Sequence, residues 1–582
     1  MIRPENLRNN RWQVKPAVPH EIKQTLGQYH PVLQQVLYNR GLQDSSHIQA
    51  FIEGRYLEST DPFLLPDMDK AMARIRQAIE QDEIIVVYGD FDADGVTSTV
   101  LLTQALRGLG LSREQAQPHI PDRFEDGYGL NEKVLTMLKK DRNANLVISV
   151  DCGIRSIREV EHANKIGLDM IITDHHSLGR RIPPALAVIN PKRTDSTYPE
   201  EMLAGVGIAY KMAQALRVAF PDRAEFDETD FLDLVAVGTV ADLAPLQGEN
   251  RKLVMDGLKV INSCQRPGLA ALARVSGLKP GSISAESIAF ALGPRINAAG
   301  RLAHAHQAAK LLALNNFPLV HLEAHEQAVE LNDLNQDRQQ LTAKLTKEAE
   351  AQIDPESPLL FAADPDFAPG VVGLVAGRLT EKYYRPSIIV EQGETESRGS
   401  CRSIPEFHIT NALDQVQDLL VRHGGHAQAA GFTINNENLP EFRERMIEIA
   451  ATELAGKDLY PTLTIDAEID LMDVDWALQN VLEELEPTGE ANDKPIFMSR
   501  NVRVYNHRAV GQDGAHLQLE VGDDEGRIKL RCIAFRQGAW ANNLPDKVDL
   551  AYMLGVNEWR GRRTLQLMVQ DIRVPEPLTE NQ

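Results

Sequence analysis

At 582 residues the chain is too long for one hydrophobic core, and its length calls for roughly three to five domains. Its 43% hydrophobic and 25% charged residues are those of a globular protein, which excludes a fibrous or disordered chain. The net charge of −22 argues against a nonspecific nucleic-acid coat but not against a nucleic-acid enzyme, in which carboxylates can hold metal and a local groove can be basic.

The opening Met1-Ile-Arg-Pro-Glu-Asn-Leu-Arg8 lacks the apolar core of a secretory signal, and no apolar run reaches the roughly 18 residues of a membrane span. Cys152, Cys264, Cys401 and Cys532 lie far apart, with no CxxC pair, which argues against a disulfide framework or a zinc knuckle. A cytoplasmic protein with no membrane segment is expected. Residues 1–80 are mixed, with a helix expected over 68–79, and read as a segment packing on the domain that follows.

Residues 81–250 alternate strand-like and helix-like runs, with strands expected at 84–88, 145–150, 170–173 and 187–190. Such alternation implies α/β architecture and a parallel sheet covered on both faces. Open parallel sheets carry their sites at the carboxyl ends of the strands, and acidic or imidazole residues follow several of these. The first strand leads into Asp90, Asp92 and Asp94, which alternate along the chain and can converge on one point. Asp151 follows the second and Asp174-His175-His176 the third, while Asp242 ends the apolar run 231–241. Crowded carboxylates need a cation between them, and several Asp with one or two His suit Mg²⁺ or Mn²⁺ better than a thiolate-bound zinc.

Residues 251–352 read as helical, ending in a connecting helix with a stripe of Leu331, Leu334, Leu341 and Leu345. Within them Gly293-Pro-Arg-Ile-Asn-Ala-Ala-Gly-Arg301 reads either as a tight helix junction or as an anion-holding loop. A second α/β domain is expected over 353–458. It contains Arg398-Gly-Ser-Cys-Arg402 and Gly424-Gly-His-Ala-Gln-Ala-Ala-Gly431, whose small residues admit a ligand or another backbone. Short alternating runs over 459–575 suggest a small β-barrel, with 576–582 as a tail. Its Trp559-Arg560-Gly-Arg562-Arg563 run suits a platform for single-stranded nucleic acid.

Gly89-Asp-Phe-Asp-Ala-Asp-Gly95, Val150-Asp-Cys-Gly153, Thr173-Asp-His-His176 and Val240-Ala-Asp-Leu243, in this order, resemble the four motifs of the DHH phosphoesterases. The 424–431 run resembles the motif of the DHH-associated domain. With the terminal OB-like barrel, the whole is similar to the single-strand-specific exonucleases of that family. The resemblance implies a 5′→3′ exonuclease that releases mononucleotides from single-stranded DNA in recombination and repair. It implies two divalent cations held by Asp92, Asp94, Asp151, His175 and Asp242, with Asp151 bridging and Asp90 as ligand or neighbour of one. His176 would stand near the scissile phosphate. Arg123, Arg295 or Arg301, Ser400 and Arg402 would grip phosphates, and Gly424, Gly425 and His426 would help bind substrate. Single-strand-binding protein and a helicase are family expectations as partners, and a monomer is the default state. Two rival readings are a phosphodiesterase for short oligonucleotides or cyclic dinucleotides, and a non-catalytic DNA-binding scaffold. The complete carboxylate set argues against the scaffold.

Overall fold

The computed structural model describes residues 10–315 and 318–575, apart from the side chain of Trp559; the 576–582 tail lies outside the described residues. The chain divides into two units, Glu58–Leu459 and a second made of Met1–Leu57 with Tyr460–Gln582.

In the first unit, strands β1 (Ile85–Tyr88), β2 (Ala116–His119), β3 (Leu146–Val150), β4 (Asp169–Thr173) and β5 (Ala187–Ile189) form a parallel sheet of order β2-β1-β3-β4-β5. Every residue of β1 and β3 is buried, because helices cover both faces. Helix α1 (Ala93–Arg107) packs against α2 (Gly205–Ala219) and α3 (Leu232–Ala241), the last buried along its length. The in-phase register of β1, β3 and β4 brings Asp90, Asp151 and Asp174 to one edge.

The run 293–301 is not a loop: it lies in helix α4 (Gly293–Leu302), entered through a π-helical turn at Ile288–Leu292. The stripe of leucines lies in α5 (Val320–Glu350), 31 residues and about 46 Å long. Helix α6 (Val372–Tyr383) covers a mixed sheet built from β6 (Leu360–Asp364), β7 (Ser387–Glu391), β8 (Glu396–Arg402), β9 (Leu420–Gly425) and β10 (Ala429–Asn435). Their order is β9-β10-β8-β7-β6, and only β6 and β7 run parallel. The 424–431 motif is the β9–β10 hairpin, with Gly424 opposite Gly431.

In the second unit, Phe497–Val510, His516–Gly522, Lys529–Ala534, Arg562–Arg573 and Lys547–Trp559 pair in that order. The last pairs back with the first and closes a five-stranded barrel. The expectation that residues 1–80 form one segment packing on the catalytic domain is corrected for 10–57. Leu26, Leu33, Val36, Leu37 and Ile48 belong to the same core as barrel residues Leu519, Trp540 and Leu550. Arg11–Val14 also pairs in parallel with Thr462–Ile465. Met68–Glu80, by contrast, buries Met68, Met72 and Ile75 in the α/β core. Among the described residues no helix is long and apolar enough to cross a membrane.

Candidate metal centre

Each acidic residue of the site is placed by backbone. Asp92 caps α1, its Oδ1 accepting from the N–H groups of Asp94 and Gly95 at 3.0 Å each. Asp94 sits in the first turn of that helix, and its two oxygens accept from Gly205 N at 2.7 Å and Val206 N at 2.8 Å. Asp94 is thus held at the positive end of α2. Asp151 leaves β3 in a left-handed conformation, φ 61°, which is costly for a residue with a Cβ and marks a position held by its surroundings. Asp242 is the C-cap of α3.

Their side chains converge. His175 Nε2 lies 3.1 Å from Asp151 Oδ1, 3.7 Å from Asp242 Oδ2 and 3.8 Å from Asp94 Oδ2. Three sets of ligand atoms each lie within 4.8 Å: Asp94, His175 and Asp242; Asp90, Asp92 and Asp151; and Asp151, His175 and His176. Asp90 Oδ1, Asp151 Oδ1 and His175 Nε2 are buried without a hydrogen-bond partner among the described residues. Buried polar atoms are normally paired, so this orphaned set asks for a ligand.

The electrostatics agree. Burial, then repulsion from the other carboxylates, pushes Asp90, Asp94 and Asp151 well above the usual carboxylate range. Burial and Asp92 push Asp242 up to about 7. Burial, with neighbouring His176, holds the His175 imidazole down to about 3, so a neutral ring offers Nε2 as a donor atom. A hydrogen bond with the Leu203 backbone fixes that ring. Hard oxygen donors with a single imidazole fit Mg²⁺ or Mn²⁺.

His176 is set apart by Asp174. Asp174 Oδ1 lies 2.8 Å from His176 Nδ1 and accepts from its backbone N–H at 3.0 Å, while Oδ2 accepts from Ile154 N at 2.9 Å. Burial opposes a charge on His176, but the bond to Asp174 outweighs it and raises its pKa. Two residues near β5 escaped sequence reasoning: Asn190 donates to His176 O at 3.0 Å and Lys192 to His175 O at 2.6 Å. The strand-end rule that found Asp151 applies equally to them. Tyr128, also missed, meets the His176 ring edge-on at 6.4 Å.

A cleft of about 570 Å³ opens beside the centre, lined by Tyr128, Asp174, His176, Gly424, Gly425 and His426 among others. That volume suits a nucleotide-sized ligand. The hairpin motif of the second sheet therefore shares this cleft with His176 of the first. Arg123 lies over the Phe91 ring at 4.5 Å, within electrostatic reach of Asp90 and Asp92. Arg301 is half-buried, within electrostatic reach of Arg123, Arg338 and Arg402, and donates to Gly370 O at 3.2 Å. Ser400 Oγ accepts from Arg402 at 3.4 Å, beside the first turn of α6 at Gly373. Arg295 does not join this group; Asn332 of α5 holds it. On the barrel, Arg560 and Gly561 form a hairpin tip between two strands, and Arg563 stacks on Trp476 at 5.5 Å.

Helices on a parallel sheet with acidic strand ends, joined to a second sheet bearing a glycine hairpin, define a protein of the DHH class. Residues 84–239 match the model of the DHH family N-terminal domain and 356–452 that of the DHHA1 domain, while 465–571 match the RecJ OB domain. The chain is 35% identical to the single-stranded-DNA-specific exonuclease RecJ of Bacillus subtilis over 97% of its own length and 71% of that protein's. It is also 35% identical to RecJ of Escherichia coli, over 93% of this chain and 96% of the relative. The crystal structure of RecJ in complex with Mn²⁺ from Thermus thermophilus superposes with a TM-score of 0.81 at 32% identity, covering 98% of this chain and 80% of the other. The chain belongs to the RecJ family.

Proposed function

We propose that the protein is a metal-dependent 5′→3′ exonuclease that hydrolyses single-stranded DNA to mononucleotides. The observation that carries this is the convergence of buried, unpaired Asp90 Oδ1, Asp151 Oδ1 and His175 Nε2 with Asp92, Asp94 and Asp242. Asp94, His175 and Asp242 form one ligand set; Asp90 and Asp92 form another, with Asp151 shared between them. Two divalent cations held there would supply a nucleophilic water near neutral pH and screen the charge of the phosphodiester.

The chain's own groups do the rest. Asp92 and Asp94, locked to helix N-termini, keep the two ligand sets at fixed separation. His176, aligned by Asp174, whose bond favours the protonated ring, faces the cleft and can give a proton to the leaving oxygen. Arg123, Arg301, Ser400 and Arg402 hold phosphate oxygens, including those of the 5′ end, through charge-assisted bonds. The 5′→3′ polarity rests on family membership. Such a reaction consumes strands that unwinding exposes, so a helicase and single-strand-binding protein are fitting partners, in the cytoplasm, for a monomeric enzyme. Digestion of end-labelled single- and double-stranded DNA, with and without 5′ phosphate, in Mn²⁺ and then Mg²⁺, tests strand preference, polarity and metal together. Equal attack on both substrates, or activity in EDTA, would overturn the reading.

The barrel separates an enzyme for long strands from one for dinucleotides. Deleting residues 460–582 would strip residues 10–57 of the core they share, so surface charge is the cleaner probe. Arg562→Ala with Arg563→Ala is expected to raise KM on long strands about tenfold while sparing trinucleotides. Equal KM on long strands counts against the platform.

Removing the metal should reveal the repulsion within the site. Because Asp242 is raised to about 7, the metal-free folded state binds more protons than the unfolded chain from about pH 4 to pH 7. Stability is therefore lost as pH rises through that window. Melting of EDTA-treated protein should fall across it, and saturating Mn²⁺ should cancel the fall; identical pH profiles would refute the assignment.

A further inference from the structure

Three residues of the metal centre are touched by one short stretch, 203–206, that leads into α2. A hydrogen bond with the Leu203 backbone fixes the His175 ring. Gly205 N and Val206 N hold the two oxygens of Asp94. A Cβ on Gly205 would stand 2.7 Å from Asp151, so the backbone already lies against that carboxylate. Whatever fixes this stretch therefore fixes the surroundings of one ligand set.

The helix Gly248–Asn262 does so. Asn250 is fully buried, and its Nδ2 donates to Met202 O at 2.6 Å, one residue before Leu203. Its Oδ1 has no partner among the described residues, so the amide serves that one acceptor. Glu249 N donates to Glu200 Oε2 at 3.2 Å, and Glu200 Oε1 accepts from Met202 N at 3.2 Å. The buried Glu249 carboxylate accepts from the Tyr198 hydroxyl and pairs with Lys211 of α2 at 2.5 Å. Tyr198 precedes the stretch and Lys211 follows it, so one neutralised carboxylate ties down both ends. The same helix lies against α3, which ends at Asp242: a Cβ on Gly257 would stand 2.2 Å from Leu232 O. It thus joins the supports of His175, Asp94 and Asp242. Asp92, of the other ligand set, is held elsewhere, by the turn into α1, where Asn297 of α4 engages Ala93 N.

We propose that Asn250 is a positioning residue for the cation held by Asp94, His175 and Asp242, acting through the Met202–Leu203 peptide on the His175 ring. The inference rests on the two-metal reading of the site and makes its halves unequal. One of them depends on a side chain that touches no ligand. Outer groups of this kind set the orientation of an imidazole, and with it the affinity for metal.

Titration of the whole chain with Mn²⁺, read from the EPR signal of the free ion, should show two ions bound by the wild type. Asn250→Ala is expected to weaken one of them about tenfold or more and to leave the other as in the wild type. The spin-coupled signal of the ion pair should then vanish at Mn²⁺ concentrations that saturate the wild type. Excess Mn²⁺ should restore kcat, with KM for single strands unchanged. Glu200→Ala, at a half-exposed position, should give the same pattern more weakly, and it decides the matter if Asn250→Ala does not fold. Ile261→Ala, buried on the same helix about 16 Å away, should lower the melting temperature and alter neither ion. Equal weakening of both ions, or unchanged affinities in the variants that fold while the wild type binds two, overturns the Asn250 proposal and leaves the metal reading intact. Fewer than two ions on the wild type removes the two-metal reading and the proposal with it.

Discussion

Asp151→Ala is expected to lower turnover on single-stranded DNA by about 10³-fold or more, the several kcal/mol that a shared metal ligand contributes to the transition state. The fold should survive. Asp151 is buried and repelled by Asp94, Asp92, Asp90 and Asp242, so removing it relieves strain in the metal-free protein. Its left-handed backbone complicates alanine, which loses about 1–2 kcal/mol there, whereas asparagine tolerates that conformation. Asp151→Asn is therefore the companion variant: equally inactive and closer to native stability. Mn²⁺ should raise the melting temperature of the wild type and of neither variant. Near-normal turnover in both variants would sink the shared-ligand assignment.

The second large effect is expected at Gly300. A Cβ there would stand 2.3 Å from the Phe91 carbonyl oxygen, far inside van der Waals contact with rigid backbone. Three residues earlier, Asn297 Oδ1 accepts from Ala93 N at 2.7 Å, so helix α4 clamps the loop that carries Asp90 and Asp92. Gly300→Val must push helix and loop apart by about an ångström, which at a reacting centre costs about 10²-fold in kcat. Binding of single strands in EDTA, measured by fluorescence anisotropy, should change little. A variant with native kcat would mean that the clamp is not needed for the ligand geometry.

Much of this architecture was legible because burial on both faces leaves an uninterrupted apolar signature, as at Ile85–Tyr88 and Leu146–Val150. Ala116–His119 was not: it is an edge strand, where Pro118 is tolerated and little side chain is buried. The first barrel strand, Phe497–Val510, hid behind charged residues and an irregularity at Asn501, φ 53°. The allegiance of residues 10–57 depends on partners more than 400 positions away, which no local pattern encodes. In the site, acidic strand ends gave away Asp90, Asp151 and Asp174. The glycines of 293–301 read either as a tight helix junction or as room for an anion, and Gly300 makes room for backbone at such a junction. The choice between Arg295 and Arg301 needed the three-dimensional packing that sets one against Asn332 and the other among Arg123 and Arg402.

The pairing of Arg11–Val14 with Thr462–Ile465 carries a consequence for how the protein is made. Residues 10–57 leave the ribosome some 400 residues ahead of the 460–575 segment whose hydrophobic core they complete. At ordinary translation speeds roughly 20–80 s separate the two segments. Through that interval Leu26, Leu33, Val36 and Leu37 have no core to enter, while Glu58–Leu459 can already assemble between them. The earlier segment is thus a natural client for chaperones during synthesis, and a ribosome that stalls before residue 460 leaves residues 10–57 without a core and sticky.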